Sequence, residues 1–160
     1  MLPLFERQHA LFFSDGTKVM LKKISCFALA GACALSAQAF DKTQMDLQKD
    51  FWGTWTVYNP KIQCTESYQF SQPSKVLYTA KQKKMTGEFA IIRNKDPKIL
   101  DVFAMDVLTD NKKAGCNGQK NDFSKANIRL SLKWVSAKTA ELCTDFEGKQ
   151  CLGLYLIKQK

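Results

Sequence analysis

The chain reads as an all-β protein: a single antiparallel meander of eight strands closed into a barrel and preceded by a short N-terminal helix. Three observations predict this. Apolar and polar residues alternate with period two in run after run beyond residue 53, the mark of strands with one buried face. The runs are short and are divided by turn residues, so consecutive strands should be neighbours. Closing such a meander also removes the edges that an open sheet would leave free to pair.

Ahead of the strands, "TQMDLQKDF" (43–51) predicts one short helix. Thr43 is the expected N-cap, and Asp46 gives an acidic first turn. Leu47 and Phe51 share a face at i, i+4, and Trp52-Gly53 ends the helix. "TWTVY" then opens the strand series. In "QCTESYQF", Cys64, Tyr68 and Phe70 point one way, and Gln63, Thr65, Ser67 and Gln69 the other. "SQPS" supplies a turn into "KVLYTAK", where Val76, Tyr78 and Ala80 alternate with Lys75, Thr79 and Lys81. "KMTGEFAIIR" sets Met85, Phe89 and Ile91 on one face, with Gly87 as a bulge or bend. "ILDVFAMDVLT" is apolar on both faces but broken by Asp101 and Asp106. After the long polar loop "DNKKAGCNGQKNDFSK", "ANIRLSLKWV" turns Ile128, Leu130, Leu132 and Trp134 inward. "TAELCTDF" and "CLGLYLIK" complete the eight.

Residues 20–39, "MLKKISCFALAGACALSAQA", have the three parts of a secretory signal. Lys22 and Lys23 are the charged start, Ile24 to Leu35 is an apolar run of about a dozen residues, and Ala37-Gln38-Ala39 is a small-x-small site. The run falls short of the ~20 residues of a membrane span. Ala30-Gly31-Ala32-Cys33 matches a lipobox only loosely, because the leucine is displaced to Leu29. Residues 1–19 have neither a clear period nor a charged start. The expectation is that Met20 is the true start and 1–19 a mis-assigned extension. Cleavage would follow Ala39, leaving 40–160 as one disulfide-linked domain, periplasmic or secreted.

Four of the 24 Lys/Arg and two of the 15 Asp/Glu fall in residues 1–39, which leaves 20 and 13 and a net charge of about +7. The one histidine, His9, falls there too. Residues 40–160 therefore offer no Ser-His or Cys-His nucleophile and no imidazole for zinc or copper. Neither a catalytic residue nor a cofactor or metal is expected. Cys64, Cys116, Cys143 and Cys151 are an even set in a small exported chain, which reads as two disulfides with three possible pairings. Cys143 and Cys151 flank the turn-like "TDFEGKQ" and could clamp a hairpin, leaving Cys64 with Cys116.

Gly53-Thr54-Trp55 stands at the start of the first strand, just after the short helix. Here the chain resembles the lipocalin and calycin group of ligand-binding barrels, whose signature is a G-x-W with the tryptophan plugging the barrel floor. Thr86-Gly87-Glu88-Phe89 is faintly similar to a strand of avidin-type barrels. The resemblance implies an eight-stranded barrel with an internal ligand. The arginine that packs over the tryptophan in that group is absent, and Lys158 is the nearest cation.

A barrel of eight strands holds one small ligand or is filled by side chains. The inward candidates for contact with a ligand are Trp55, Tyr68, Phe70, Tyr78, Phe89, Phe103 and Trp134, with Met105 beside them. Packing of the core is the competing role for the same residues. Lys81, Lys83, Lys84, Lys112 and Lys113 form a basic feature suited to an anionic envelope surface or to solubility alone. Nucleic acid is not an expected partner, since only Arg93 and Arg129 remain and no stacking platform accompanies them. Asp101, Asp106 and Asp110 read as surface and turn residues, since their spacing fits no calcium loop. These readings lead to an exported binding protein that takes a small apolar ligand or a protein partner. A lysozyme-type inhibitor is the rival, disfavoured because its target is basic and a +7 chain would repel it.

Overall fold

The computed structural model describes residues 40–160. The expected signal sequence and cleavage site, and the reading of residues 1–19, lie outside the described residues. Eight strands follow one another: β1 (Gly53–Asn59), β2 (Cys64–Ser71), β3 (Lys75–Ala80), β4 (Lys83–Ile92), β5 (Asp101–Asp110), β6 (Asn127–Ser136), β7 (Thr139–Cys143) and β8 (Cys151–Lys158). Each pairs antiparallel with the next, and β1 pairs with β8 to close the barrel. Among the described residues, no helix is long and apolar enough to cross a membrane.

The period-two pattern sets the inward face. Trp55 and Val57, Cys64 and Phe70, Val76, Tyr78 and Ala80, and Phe103, Met105 and Val107 are all buried, while their chain neighbours are more exposed. Gly87 sits at a bulge. Thr86 pairs with Thr109 but Gly87 with Val107, so Leu108 is the extra residue. A Cβ on Gly87 would lie 2.3 Å from the Asp106 carbonyl oxygen, so only glycine permits this approach. The extra residue also reverses the parity of β5 beyond Val107, and this turns Asp110 inward.

The N-terminal segment differs from the single helix expected over 43–51. A 3-10 turn, Lys42–Gln44, is followed by a separate helix α1 (Leu47–Asp50). The cause is capping. Asp46, rather than Thr43, caps α1, its carboxylate accepting from the Gln48 amide at 3.0 Å. An N-cap requires extended backbone, and Met45 and Asp46 both adopt it. Asp41 caps the first turn, accepting from the amide and hydroxyl of Thr43 at 2.9 and 2.7 Å.

This segment shuts one end of the barrel, the floor. Phe51 inserts among Trp55, Phe70, Phe89 and Trp134, with ring centroids 5.0, 4.6, 5.8 and 6.3 Å away. Those spacings suit favourable aromatic pairs. The Trp55 indole N–H donates to the Phe51 carbonyl at 2.8 Å.

Two of the three aspartates expected at the surface are buried instead. Asp101, fully buried, accepts from the Trp134 indole at 3.0 Å, from Arg93 Nε at 3.2 Å and from the Asn94 amide at 3.2 Å. The Lys42 ammonium lies 3.2 Å from its other side and also donates to the Ile99 carbonyl at 2.6 Å. Arg93 donates further to the Met45 carbonyl at 2.8 Å, bolting the N-terminal segment to the floor. The Asp110 side chain is equally enclosed and pairs with Lys83, which is buried rather than part of a basic surface. Asp106, Lys81, Lys84, Lys112 and Lys113 are exposed, as expected. The disulfides are Cys64–Cys116, spanning 52 residues, and Cys143–Cys151, spanning 8.

Candidate functional site

At the end opposite α1, the mouth, residues 60–63, 81–82 and 111–126 connect the strands. The 111–126 loop is held down by several bonds. Its Cys116 is tied to the start of β2. The Lys83 ammonium donates to both Asp110 oxygens at 3.0 and 2.9 Å and to the Asn121 carbonyl at 2.5 Å. The Phe123 amide donates to Asp110 at 2.7 Å, and the Phe123 ring lies 5.2 Å from the Lys83 nitrogen. Burial works against the Asp110 carboxylate, but the Phe123 amide, Lys83 and the Lys112 amide outweigh it and hold its pKa below the usual range.

Under this loop is a cavity of about 190 Å³, walled by Tyr68, Tyr78, Met85, Met105, Phe123 and Ile128, with Glu66 at its side. A second space of about 210 Å³ shares Glu66, Tyr78, Met85 and Phe123 and continues beneath Gly115–Asn117. The strand register brings the walls together: Tyr68 pairs with Tyr78, and Tyr78 with Met85. Glu66 follows the inward parity of Cys64, Tyr68 and Phe70.

The Glu66 carboxylate accepts from the Tyr68 hydroxyl at 3.2 Å, and Tyr78 stands beside it in the cavity wall. Among the described residues, no cation forms an ion pair with it. Burial pushes the Glu66 pKa above the ordinary glutamate value, and the two tyrosines only partly oppose this. Both tyrosines are pushed upward as well, first by burial and then by the Glu66 charge, so they stay protonated.

Of the seven aromatic residues expected to meet a ligand, the cavity takes Tyr68 and Tyr78. Trp55, Phe70, Phe89, Phe103 and Trp134 lie toward the floor and pack on one another or on Phe51. Phe89 also borders an open groove of about 450 Å³ between α1, the 72–73 turn and β4, a wall that includes the exposed Gln48, Gln72, Pro73 and Ala90. The mouth is the stronger candidate, because an apolar recess with a few converging polar groups is what ligand sites share. Sequence reasoning missed Glu66 and Phe123. Glu66 carried a signal, since the parity that turned Cys64 and Tyr68 inward applies to residue 66 too. Phe123 carried none, because its place depends on how the loop folds back. Glu141 lies beside Cys143 and Cys151, whose sulfurs are bonded to each other and so are not thiolate ligands for a metal.

These features define a small, disulfide-linked, eight-stranded antiparallel barrel with a packed floor and a hollow mouth. No family model matches the chain, and no curated protein or solved structure matches it either. The architecture is compatible with a lipocalin-like binding fold. Lys158 pairs with Trp55 across β1 and β8, and its ammonium donates to the Asp50 carbonyl, so a lysine ties the last strand to the floor.

Proposed function

We propose that the protein is an exported, non-catalytic binding protein that holds a small, largely apolar molecule in the mouth cavity. The observation that carries this reading is the recess of about 190 Å³ walled by two tyrosines, two methionines, Phe123 and Ile128 around one carboxylate. Pockets for drug-sized ligands run to roughly 300–1,000 Å³, so the occupant is smaller than these. Export is supported by the signal-like residues 20–39 and agrees with two disulfides, which persist in oxidising compartments. The lack of histidine in residues 40–160 supports a binding role over turnover.

The rival reading, a protein-binding inhibitor, calls for a projecting loop. The 111–126 loop is instead fastened over the mouth by Cys116, Asp110 and Asn121. Native mass spectrometry of protein recovered from the cell envelope tests the proposal. The expected result is an added small-molecule mass that denaturation removes. Protein that arrives bare and co-purifies with one stoichiometric protein partner would point to the inhibitor instead.

A further inference from the structure

We infer that the mouth cavity selects a small organic cation, a protonated primary amine carrying one apolar or aromatic arm. This rests on the reading of the mouth as a ligand site and names the class of ligand. Among the described residues, Glu66 is the one formally charged residue in the wall of the inner cavity. Lys83 borders only the adjoining space, and its charge is matched there by Asp110. An ionised carboxylate has about four acceptor positions. The Tyr68 hydroxyl takes one of them, which leaves room for an ammonium group. Beside that position stand the Tyr68 and Tyr78 rings, their centroids 5.0 Å apart and edge-to-face, surfaces that attract a cation, while the Phe123 ring is already taken up by the Lys83 ammonium. Met85, Met105 and Ile128 supply the apolar wall for the arm.

Other ligand classes fit less well. A carboxylate ligand would meet the Glu66 charge directly. A neutral ligand would displace water from Glu66 without replacing its charge partner. The net charge of about +7 over residues 40–160 repels a cation at long range, but at physiological salt that repulsion is screened beyond ~8 Å, so the local carboxylate decides. The groups facing Glu66 are Tyr68 on β2, Tyr78 on β3, and Lys83 on β4 with its partner Asp110 on β5. An ammonium beside Glu66 favours its ionised form, opposing the effect of burial. Amine affinity should therefore strengthen as pH rises through the Glu66 pKa, which lies above 4.5.

Calorimetric titration of the folded protein with phenethylammonium and with neutral 2-phenylethanol tests this. The amine should bind at least ~10-fold more tightly, Glu66→Gln should abolish the difference, and the alcohol's affinity should change by less than ~3-fold. Circular dichroism of Glu66→Gln confirms that the variant is folded. Equal binding of the two probes, or a preference that survives Glu66→Gln, overturns the cation inference and leaves the cavity reading standing. Binding of neither probe overturns both.

Discussion

At the floor, the Asp101 carboxylate takes hydrogen bonds from Trp134, Arg93 and Asn94 and lies against Lys42. At the mouth, the Glu66 carboxylate takes one from the Tyr68 hydroxyl and, among the described residues, pairs with no cation. The surroundings differ in the same way. Phe51 fills the floor with stacked and tilted rings, whereas at the mouth the walls stand back around an open cavity. A buried acid whose acceptor positions are taken by the protein's own cations has a structural role, because it fixes chain segments distant in sequence. A half-buried acid without a cation keeps acceptor capacity for something that enters.

The largest expected effect lies at the floor. Asp101→Ala leaves the Trp134 N–H without its acceptor and Lys42 and Arg93 without their carboxylate partner, and breaking such a buried set costs about 3–5 kcal/mol. Urea unfolding should show a loss that takes a large share of the ~5–15 kcal/mol available to a domain. A loss no greater than that of a surface substitution would erase the distinction between the two ends. The disulfides come next. By chain entropy, closing the 52-residue span of Cys64–Cys116 is worth about 4 kcal/mol and the 8-residue span of Cys143–Cys151 about 2.5. Paired Cys→Ala variants should rank in that order by unfolding midpoint, and loss of the first should also loosen the mouth loop.

The smallest effect separates two acids at the mouth. Glu66 has a raised pKa, so its ionised form destabilises the fold, and the penalty is absent below the unfolded value of 4.5. Glu66→Gln should therefore raise stability at neutral pH, by under about 1 kcal/mol, the scale of one net hydrogen bond. The gain should vanish as pH falls toward 4.5. Asp110 behaves oppositely. Its pKa is lowered, so its contribution is present above the ordinary 3.8 and is lost as pH falls through the folded value. Parallel melts between pH 3 and 8 (~5 points) resolve the two signs.

The strands were legible because a half-buried sheet writes its inward face into alternate residues. Val76-Tyr78-Ala80 and Phe103-Met105-Val107 illustrate this. The Gly87 bulge was legible as a glycine within a strand, but its consequence was not. The extra residue, Leu108, turns Asp110 inward, and counting by twos across it gives the wrong face. Asp101 looked like a surface residue because its partner Lys42 lies 59 positions away, and no local pattern announces such a pair. The N-terminal helix broke in two because two aspartates each act as a cap, a local conflict that hydrophobic spacing does not register. The aromatic candidates were found by parity, which distinguishes inside from outside but not floor from mouth. That division depends on Phe51 entering from outside the sheet.

The methionines allow a direct test of the division. Met45 sits at the floor, while Met85 and Met105 wall the mouth cavity. In methyl-labelled protein titrated with phenethylammonium, the Met85 and Met105 signals should shift and saturate together while Met45 stays still. A shift at Met45 with Met85 and Met105 unmoved would place binding at the wrong end of the barrel and contradict the account.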